Sequence, residues 1–460
     1  MLPVLSVAQM HEVDAAALET TAIEALVARA GYAVALVALD LLGGGYGRRV
    51  TIVAGRGNNG ADGRVAGSIL ARRGARVQII EAGTEPAIGP TDLVIDAAYG
   101  TGFHGEYRSP TLAPGTPVLA VDIPSGVHGD TGQASGAPWP ATRTVTFVAY
   151  KPGLLQGDGA RLAGRVSVVD IGLPVGTPAI WLMEDRDVVD LLPRRRQGSN
   201  KWSAAVMVVA GSPGMTGAAA LCATSAYRSG AGMVRLGVPG SDLSDAPATE
   251  AVSVTLPEHG WATDALEAAS RCAAVVVGPG LGRSEGTSAD VRQLVAESPV
   301  PVVIDADGLF ALGRVGGEDS LQARSRVILT PHDGEYARLT GGDPGPDRIA
   351  AARRLADTSG AIALVKGPTT AIADGSDRSG GRNLLATAGT TALATAGTGD
   401  VLSGMIGAML ARGVAPLDAA ALAAHVHGRA GAAGPVEGLV AGDLPALVSM
   451  VLSTLEGSGG

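Results

Sequence analysis

Short apolar runs alternate along this chain with glycine-rich turns and with stretches of helical periodicity, and the alternation continues to the far end. Residues 10–42 carry apolar positions at helical spacing and stop at Gly43-Gly44-Gly45, which predicts one long helix. Residues 50–54 form a short apolar strand. It leads into the turn GRGNNGADG at 55–63, a helix to about Arg73 and a strand over 75–80. Strand, glycine turn, helix and strand make a βαβ unit with parallel strands. Further strands are predicted at 92–96, 117–122, 144–150 and 165–170. The polar run PRRRQG at 193–198 closes that pattern. We place a domain boundary there, giving 1–197 and 198–460. A second series follows: a strand at 204–210, an Ala-rich helix to Tyr227, and strands at 230–236, 273–277, 300–304, 326–329 and 361–365. The expected class is α/β, as two three-layer α/β/α domains.

Composition narrows the partners. The chain has 460 residues, 46% hydrophobic and 17% charged, with 67 glycines and a net charge of −9. No long basic stripe is present, so nucleic acid and anionic membranes are not expected as partners. Cys222 and Cys272 stand far apart in apolar surroundings, which predicts buried thiols in a reducing compartment. Glu12 and Asp14 exclude a signal-peptide start, and the apolar stretch at 32–42 is too short for a bilayer, so we expect a cytoplasmic protein. We also expect a homo-oligomer.

Gly55, Gly57 and Gly60 formally match GxGxxG, and Glu81 stands where a ribose-binding acid would. A lone match is weak. Asn58, Asn59 and Asp62 crowd polar oxygens where a pyrophosphate site wants bare backbone, unless both Asn simply hold left-handed turn conformations. Two more strand ends are oxygen-rich: Asp96 before AAYGTGF, and Asp122 before IPSG. Ligands bind beyond the carboxyl ends of parallel strands. Asn59, Asp96 and Ser125 would then offer amide, carboxylate and hydroxyl oxygens to one crevice, a set that suits a hard cation.

Near the C-terminus, ATAGTGD at 394–400 runs directly into the apolar helix VLSGMIGAML. Backbone N–H groups at a helix start attract anions. Gly397 and Gly399 let phosphate approach, and Asp400 stands where it can take a proton from a hydroxyl. Alternatively, Asp400 merely N-caps the helix. Lys366 is a phosphate contact or an ordinary strand-end lysine. His332 reads equally as a helix-start residue near Glu335, and His425 and His427 as structural.

At this point the chain resembles known families. GRGNNGADG, DAAYGTGF, VDIPSG, the KPGLL at 151–155 and the LVARAG at 26–31 look like the NAD(P)H-hydrate epimerase domain. That resemblance implies a Rossmann-like fold. It implies substrate contacts at Asn58, Asn59, Gly60, Ala61 and Asp62, at Gly100, Thr101, Gly102, Phe103, His104, Gly105 and Glu106, and at Asp122, which we also expect in a catalytic role. It implies potassium ligands at Asn59, Asp96 and Ser125. GAGMVR, GPGLG, PHDGE, KGPTT and ATAGTGDVLSG resemble the ribokinase-like, ADP-dependent NAD(P)H-hydrate dehydratase domain. Carried over, Ala218, Gly282, His332 and Asp400 contact the hydrate. Lys366, Gly367, Pro368, Thr369, Thr370 and Gly399 contact ADP, and magnesium is expected on its phosphates. The family pattern has Gly at positions 61 and 396, where this chain has Ala, and Pro where it has Asp333.

Together these imply the bifunctional NAD(P)H-hydrate repair enzyme family. The first domain would interconvert the R and S hydrates. The second would phosphorylate the hydroxyl of the S form with ADP, Asp400 acting as base, and phosphate would then leave to restore NAD(P)H, with AMP as the other product. A ribokinase-like vitamin or sugar kinase fused to a Rossmann-like regulatory domain is the alternative. A catalytically dead dinucleotide-binding module is a third reading of the first half.

Overall fold

The apolar runs do become strands, and their spacing by helices makes them parallel. The computed structural model describes residues 1–241, 250–316, 326–375 and 381–458. It divides into two compact units, residues 2–180 and residues 181–460 with Met1.

In the first unit the strands are β1 (Arg49–Ala54), β2 (Arg76–Glu81), β3 (Leu93–Ala97), β4 (Val118–Val121), β5 (Arg143–Phe147) and β6 (Arg165–Val169). They form a six-stranded parallel sheet in the order β2-β1-β3-β4-β5-β6. Ile52, Ile95 and Leu119 at its centre are fully buried on the face that the helices cover, while Phe103, Tyr107 and Trp139 from the connections between strands close the other. Burying each such side chain contributes about 1.5–3 kcal/mol. The strand order reverses between β1 and β3, and that switch point opens a crevice at the carboxyl ends.

The single helix expected over 10–42 is two: α1 (Val7–Leu18) and α2 (Ile23–Leu42). Thr20 and Thr21 both turn their N–H groups back to the Ala17 carbonyl, and Ala22 is extended, with ψ 141°. The β-branched pair gains little from continuing the helix, and apolar spacing does not register the break. The apolar stretch thus extends back to Ile23. This 20-residue helix is long and apolar enough to cross a membrane by length and composition, but it buries Leu26, Ala30, Val34 and Ala38 against the core. The helix after the first glycine turn, α3 (Asn58–Arg72), lies close on the sheet. A Cβ at Gly63 would fall 2.6 Å from Ala97 Cβ, and one at Gly67 would fall 2.7 Å from Ile52 Cδ1.

The second unit's described strands include β7 (Ala205–Val209), β8 (Met233–Gly237), β9 (Val252–Val254), β10 (Ala274–Val277), β11 (Val302–Ile304), β12 (Val327–Leu329), β13 (Ile362–Val365), β14 (Thr370–Asp374) and β15 (Asn383–Ala386). Their order is β15-β14-β13-β12-β11-β10-β7-β8-β9. β14 and β15 join antiparallel and the rest are parallel. Three helices matter for the site: α4 (Thr216–Arg228), α5 (Asp333–Thr340) and α6 (Thr398–Ala411). Helix α6 is buried from Val401 to Ala411 on every side. Gly404 and Gly407 let it wedge between α4 and the sheet. A Cβ at Gly404 would meet the Cys222 carbonyl at 2.1 Å, and one at Gly407 would meet Val276 Cγ2 at 2.4 Å.

By compactness the units divide at 180/181, ahead of the arginine run at 193–198. Met183, Val188 and Leu192 explain this, since all three are buried in the second unit's core. Cys222 and Cys272 are free and buried, and burial pushes both thiols up, Cys272 to about 11.

Candidate active sites

At the switch point of the first sheet, α1, the turn before α3, and the loops after β3, β4 and β5 enclose a cavity of about 420 Å³. Asn58 and Asn59 begin α3 behind the cap residue Gly57. Neither has a positive φ, so left-handed turn conformations are not the reason for the pair. Asp122 does have one, φ 67°, a costly conformation that Asp tolerates better than most residues. Its carboxylate is tied down on three sides. Thr101 N–H donates to Oδ2 at 3.4 Å, Thr146 Oγ1 donates to Oδ1 at 3.1 Å, and Lys151 Nζ lies 2.9 Å from Oδ1. Lys151 is itself buried and also donates to Thr146 Oγ1 at 2.7 Å and the Phe147 carbonyl at 2.8 Å.

Two further carboxyls face the same cavity, Asp14 from α1 and Asp62 from α3. Burial, then the neighbouring Asp122 and Asp14, push Asp62 up to about 8. Burial also raises Asp14, against the pull of Lys151. Beside the cavity, Asp96 is fully buried at the end of β3. Ser125 Oγ donates to Asp96 Oδ1 at 2.6 Å, and Ser125 N–H donates to Oδ2 at 2.9 Å. Burial raises Asp96 and the Ser125 bonds lower it, burial prevailing. Asn59 Nδ2 is buried without a hydrogen-bond partner. The two ends of an amide are assigned from their surroundings. Flipping Asn59 would put an oxygen at that orphaned position, which suits a cation.

Of the residues expected here, the cavity gathers Asn58, Asn59, Asp62, Gly100, Thr101, Gly102, Phe103 and Asp122. Gly60, Ala61, His104, Gly105 and Glu106 do not line it. Gly60 serves packing, since a Cβ there would fall 1.9 Å from the Gly55 carbonyl. Glu106 pairs with exposed Arg108 at 2.7 Å. Asp14 and Lys151 were not among the expected site residues. Lys151 stood inside the KPGLL motif, but Asp14 had no signal beyond one acid in an amphipathic helix.

In the second unit the focus is the start of α6. Its N-cap is Gly397, at φ 90°, and Asp400 lies inside the first turn, so Asp400 is not the cap. Lys366, following β13, extends Nζ to Asp305 Oδ1 at 2.8 Å and approaches Glu335 Oε2 at 3.8 Å. Ser403, on α6, donates to the other Asp305 oxygen at 2.7 Å. A Cβ at Gly399 would fall 3.3 Å from Lys366 Nζ and 3.5 Å from Asp305 Oδ2, so backbone, lysine and carboxylate converge there. Burial, then Asp305, push Asp400 up to about 7, with Lys366 pulling the other way. Burial opposes the charge on Lys366, but Asp305, Glu335 and Asp400 outweigh it and raise its value.

The other expected residues surround this centre. His332 caps α5: its Nδ1 accepts from Gly334 N–H at 3.0 Å, and Glu335 Oε2 accepts from His332 N–H at 2.9 Å. That is the helix-start role, and it places the imidazole one residue pair from Lys366 through Glu335. Gly282 N–H donates to Asp307 Oδ2 at 3.0 Å, and Arg283 holds the other oxygen at 2.7 Å. Ala218 lies in the first turn of α4, and a Cβ at Gly280 would fall 3.0 Å from Ala218 Cβ. Gly367, Pro368, Thr369 and Thr370 form the turn into β14. Asp333 ion-pairs with Arg348, which also donates to the Lys366 carbonyl, so the acid in place of Pro is neutralised and tied to the Lys366 turn. Ala396 precedes the cap residue Gly397. His425 Nε2 lies 2.9 Å from Asp185 Oδ1, and His427 is buried and pushed down to about 4 by burial; both sit on α7 (Pro416–Ala433). Asp305 directly follows the strand expected at 300–304, but no role was expected for it or for Ser403, because their bond exists only once β11 and α6 are side by side.

Comparison with known proteins covers both halves. The NAD(P)H-hydrate dehydratase family profile matches residues 206–453. The YjeF-related protein N-terminus profile matches 23–89 and 81–153. The bifunctional NAD(P)H-hydrate repair enzyme of Salinibacter ruber is 34% identical over 99% of this chain and 97% of its own. The enzyme of the same description from Mycobacterium leprae is 37% identical over 97% of each. Among solved structures, an ADP/ATP-dependent NAD(P)H-hydrate dehydratase from Bacillus subtilis, co-crystallised with ATP and Mg2+, has a TM-score of 0.50 and 29% identity over 59% of this chain and 98% of its own. A ribokinase-like superfamily protein from Enterococcus faecalis shares the fold, with a TM-score of 0.54 and 21% identity over 60% of this chain and 96% of its own.

Proposed function

The chain belongs to the bifunctional NAD(P)H-hydrate repair enzymes, and on that premise we propose how its two sites divide the work. It is an epimerase joined to a dehydratase, Rossmann-like in the first half and ribokinase-like in the second. The vitamin or sugar kinase alternative is not favoured, because the repair-enzyme likeness runs through both halves.

The second site takes the S hydrate and ADP. Asp400 removes the proton of the ring hydroxyl as that oxygen attacks phosphorus, and a value of about 7 suits a base working near neutrality. Lys366 and the N–H groups opening α6 hold the phosphates and oppose the developing charge. Phosphorylation makes the hydroxyl a good leaving group, and loss of phosphate restores the ring double bond. Asp305 fixes Lys366 from below, with Ser403 fixing Asp305 in turn. Magnesium would sit on the nucleotide phosphates, where it would neutralise charge. The turn Lys366–Thr370 and Gly399 hold ADP, and Ala218, Gly282 and His332 lie on the hydrate side.

The first site inverts the hydroxyl-bearing carbon between R and S. Asn59, Asp96 and Ser125 would hold potassium, which supplies a fixed positive charge beside Asp96. The donor set fits, since Asp96 is buried with hydroxyl and backbone N–H partners and makes no ion pair among the described residues. Cytoplasmic location and the absence of membrane and nucleic-acid partners belong to the same proposal, supported by charge and composition; self-association belongs to it as an expectation alone.

The observation that carries the reading is the convergence of Asp400, Lys366, Asp305 and Gly399 at the start of α6. The test supplies mixed hydrated NADH with Mg2+ and either ADP or ATP, and follows the return of NADH absorbance. Full conversion of both epimers with ADP is expected. Failure of ADP to restore NADH refutes it.

A further inference from the structure

Which group moves the proton in the first site is not assigned by the family likeness. The cavity offers three carboxyls, Asp14, Asp62 and Asp122, and one lysine. Lys151 is already committed to Asp122 at 2.9 Å. Asp62 is 7% exposed, faces the cavity, and makes no hydrogen bond or ion pair among the described residues. Other titratable groups around the cavity are Asp14 and His11 on α1, Tyr99 beyond β3 and Asp122 beyond β4. A buried carboxyl between two others, with no cation left for it, keeps its proton. Asp122, held by Lys151, and Asp62, held by no cation, face one cavity, an arrangement suited to an acid and base pair.

The substrate's chemistry calls for such an acid. Water added to an enamine double bond leaves its hydroxyl on the carbon bonded to nitrogen. That carbon can lose the hydroxyl again with help from the nitrogen lone pair. We propose that Asp62 is the general acid of epimerisation, protonating the departing ring hydroxyl from within this cavity; the proposal rests on the epimerase reading of the first site. The C–O bond breaks and its electron pair stays on oxygen, which takes the Asp62 proton and leaves as water. The nitrogen lone pair closes a C=N bond, giving a planar cation next to the fixed Asp122 carboxylate. Water then adds to the opposite face. Its lone pair forms the new C–O bond, the C=N pair returns to nitrogen, and the spare proton returns to Asp62. Nothing is consumed.

The test uses the full chain at saturating potassium. R hydrate is incubated without ADP in ¹⁸O-labelled water, and inversion and label are read together. Wild type is expected to take up one ¹⁸O for each inversion. Its rate is expected to fall as pH rises through about 8, since the acid form is the active one. Asp62→Asn is expected to lose about two to four orders of magnitude in inversion and the pH dependence with it. Asp62→Glu should keep a measurable part. Both variants should still dehydrate S hydrate with ADP at the wild-type rate. Inversion without ¹⁸O uptake, or an Asp62→Asn variant with wild-type inversion, overturns the proposal. A wild-type chain that dehydrates S hydrate but inverts R no faster than buffer alone overturns the epimerase reading itself, and Asp62 with it.

Discussion

At Asp400 the chemistry and the stability of one residue pull in opposite directions. Its folded value of about 7 stands above the ordinary 3.8, raised first by burial and then by Asp305. The folded protein therefore holds that proton more tightly than the unfolded chain, and stability is lost as pH rises from 3.8 toward 7. Asn has the same shape and does not titrate. Asp400→Asn should match the wild-type thermal midpoint near pH 4 and exceed it at pH 8, by roughly 2–4 °C for each kcal/mol relieved. Dehydration in the same variant should fall by about two to four orders of magnitude while epimerisation continues. Thermal scans at the two pH values beside both assays check this, and a variant that dehydrates normally would require another base. Asp96 allows a similar separation in the first site. Asp96→Asn keeps a partner for Ser125 but removes the buried charge, so potassium stimulation of epimerisation should weaken while dehydration is unchanged. Titrating potassium against inversion rate decides it, and an unaltered potassium response would reduce Asn59, Asp96 and Ser125 to turn residues.

The elements show which parts of this were open to sequence reading. The turns before α3 and α6 were legible because close backbone approach needs Gly, and polar oxygens at a strand end are unusual enough to notice. The break between α1 and α2 was not, since Glu19, Thr20 and Thr21 interrupt the chain without interrupting its apolar spacing. The roles of Asp14, Asp305 and Ser403 were illegible for another reason. Each residue is ordinary until the fold brings α1 to the cavity of the first unit, or β11 against α6. The three-dimensional fit at α6 also makes a prediction. Gly399→Ala puts a methyl 3.3 Å from Lys366 Nζ, the flexible end of its side chain. The helix should survive, because Ala favours helix over Gly by about 1 kcal/mol. The nucleotide site should not, and the KM for ADP should rise about tenfold or more, the equivalent of roughly 1.4 kcal/mol of lost binding. Steady-state kinetics with ADP varied will show it, and an unchanged KM would move the phosphates away from Gly399.

For the molecule as a whole, the core sets where the chain can be cut. A fragment of residues 181–460 retains Met183, Val188 and Leu192, whereas one of residues 198–460 loses all three from the second unit's core. Removing large buried side chains costs about 2–5 kcal/mol each. The longer fragment should therefore dehydrate S hydrate with ADP and unfold at clearly higher denaturant than the shorter one. Equal midpoints in urea would show that residues 181–197 contribute nothing to that core. The two thiols offer a way to watch the same unit without any fragment. Cys222 is shut between α4 and α6, Cys272 lies just ahead of β10, and both are held in the unreactive protonated form. A maleimide added at neutral pH should thus leave the native chain unlabelled and mark it only when the second unit opens. The natural sequence is in effect a built-in clock for its own unfolding, with two silent sites that count openings of the dehydratase half and ignore the epimerase half.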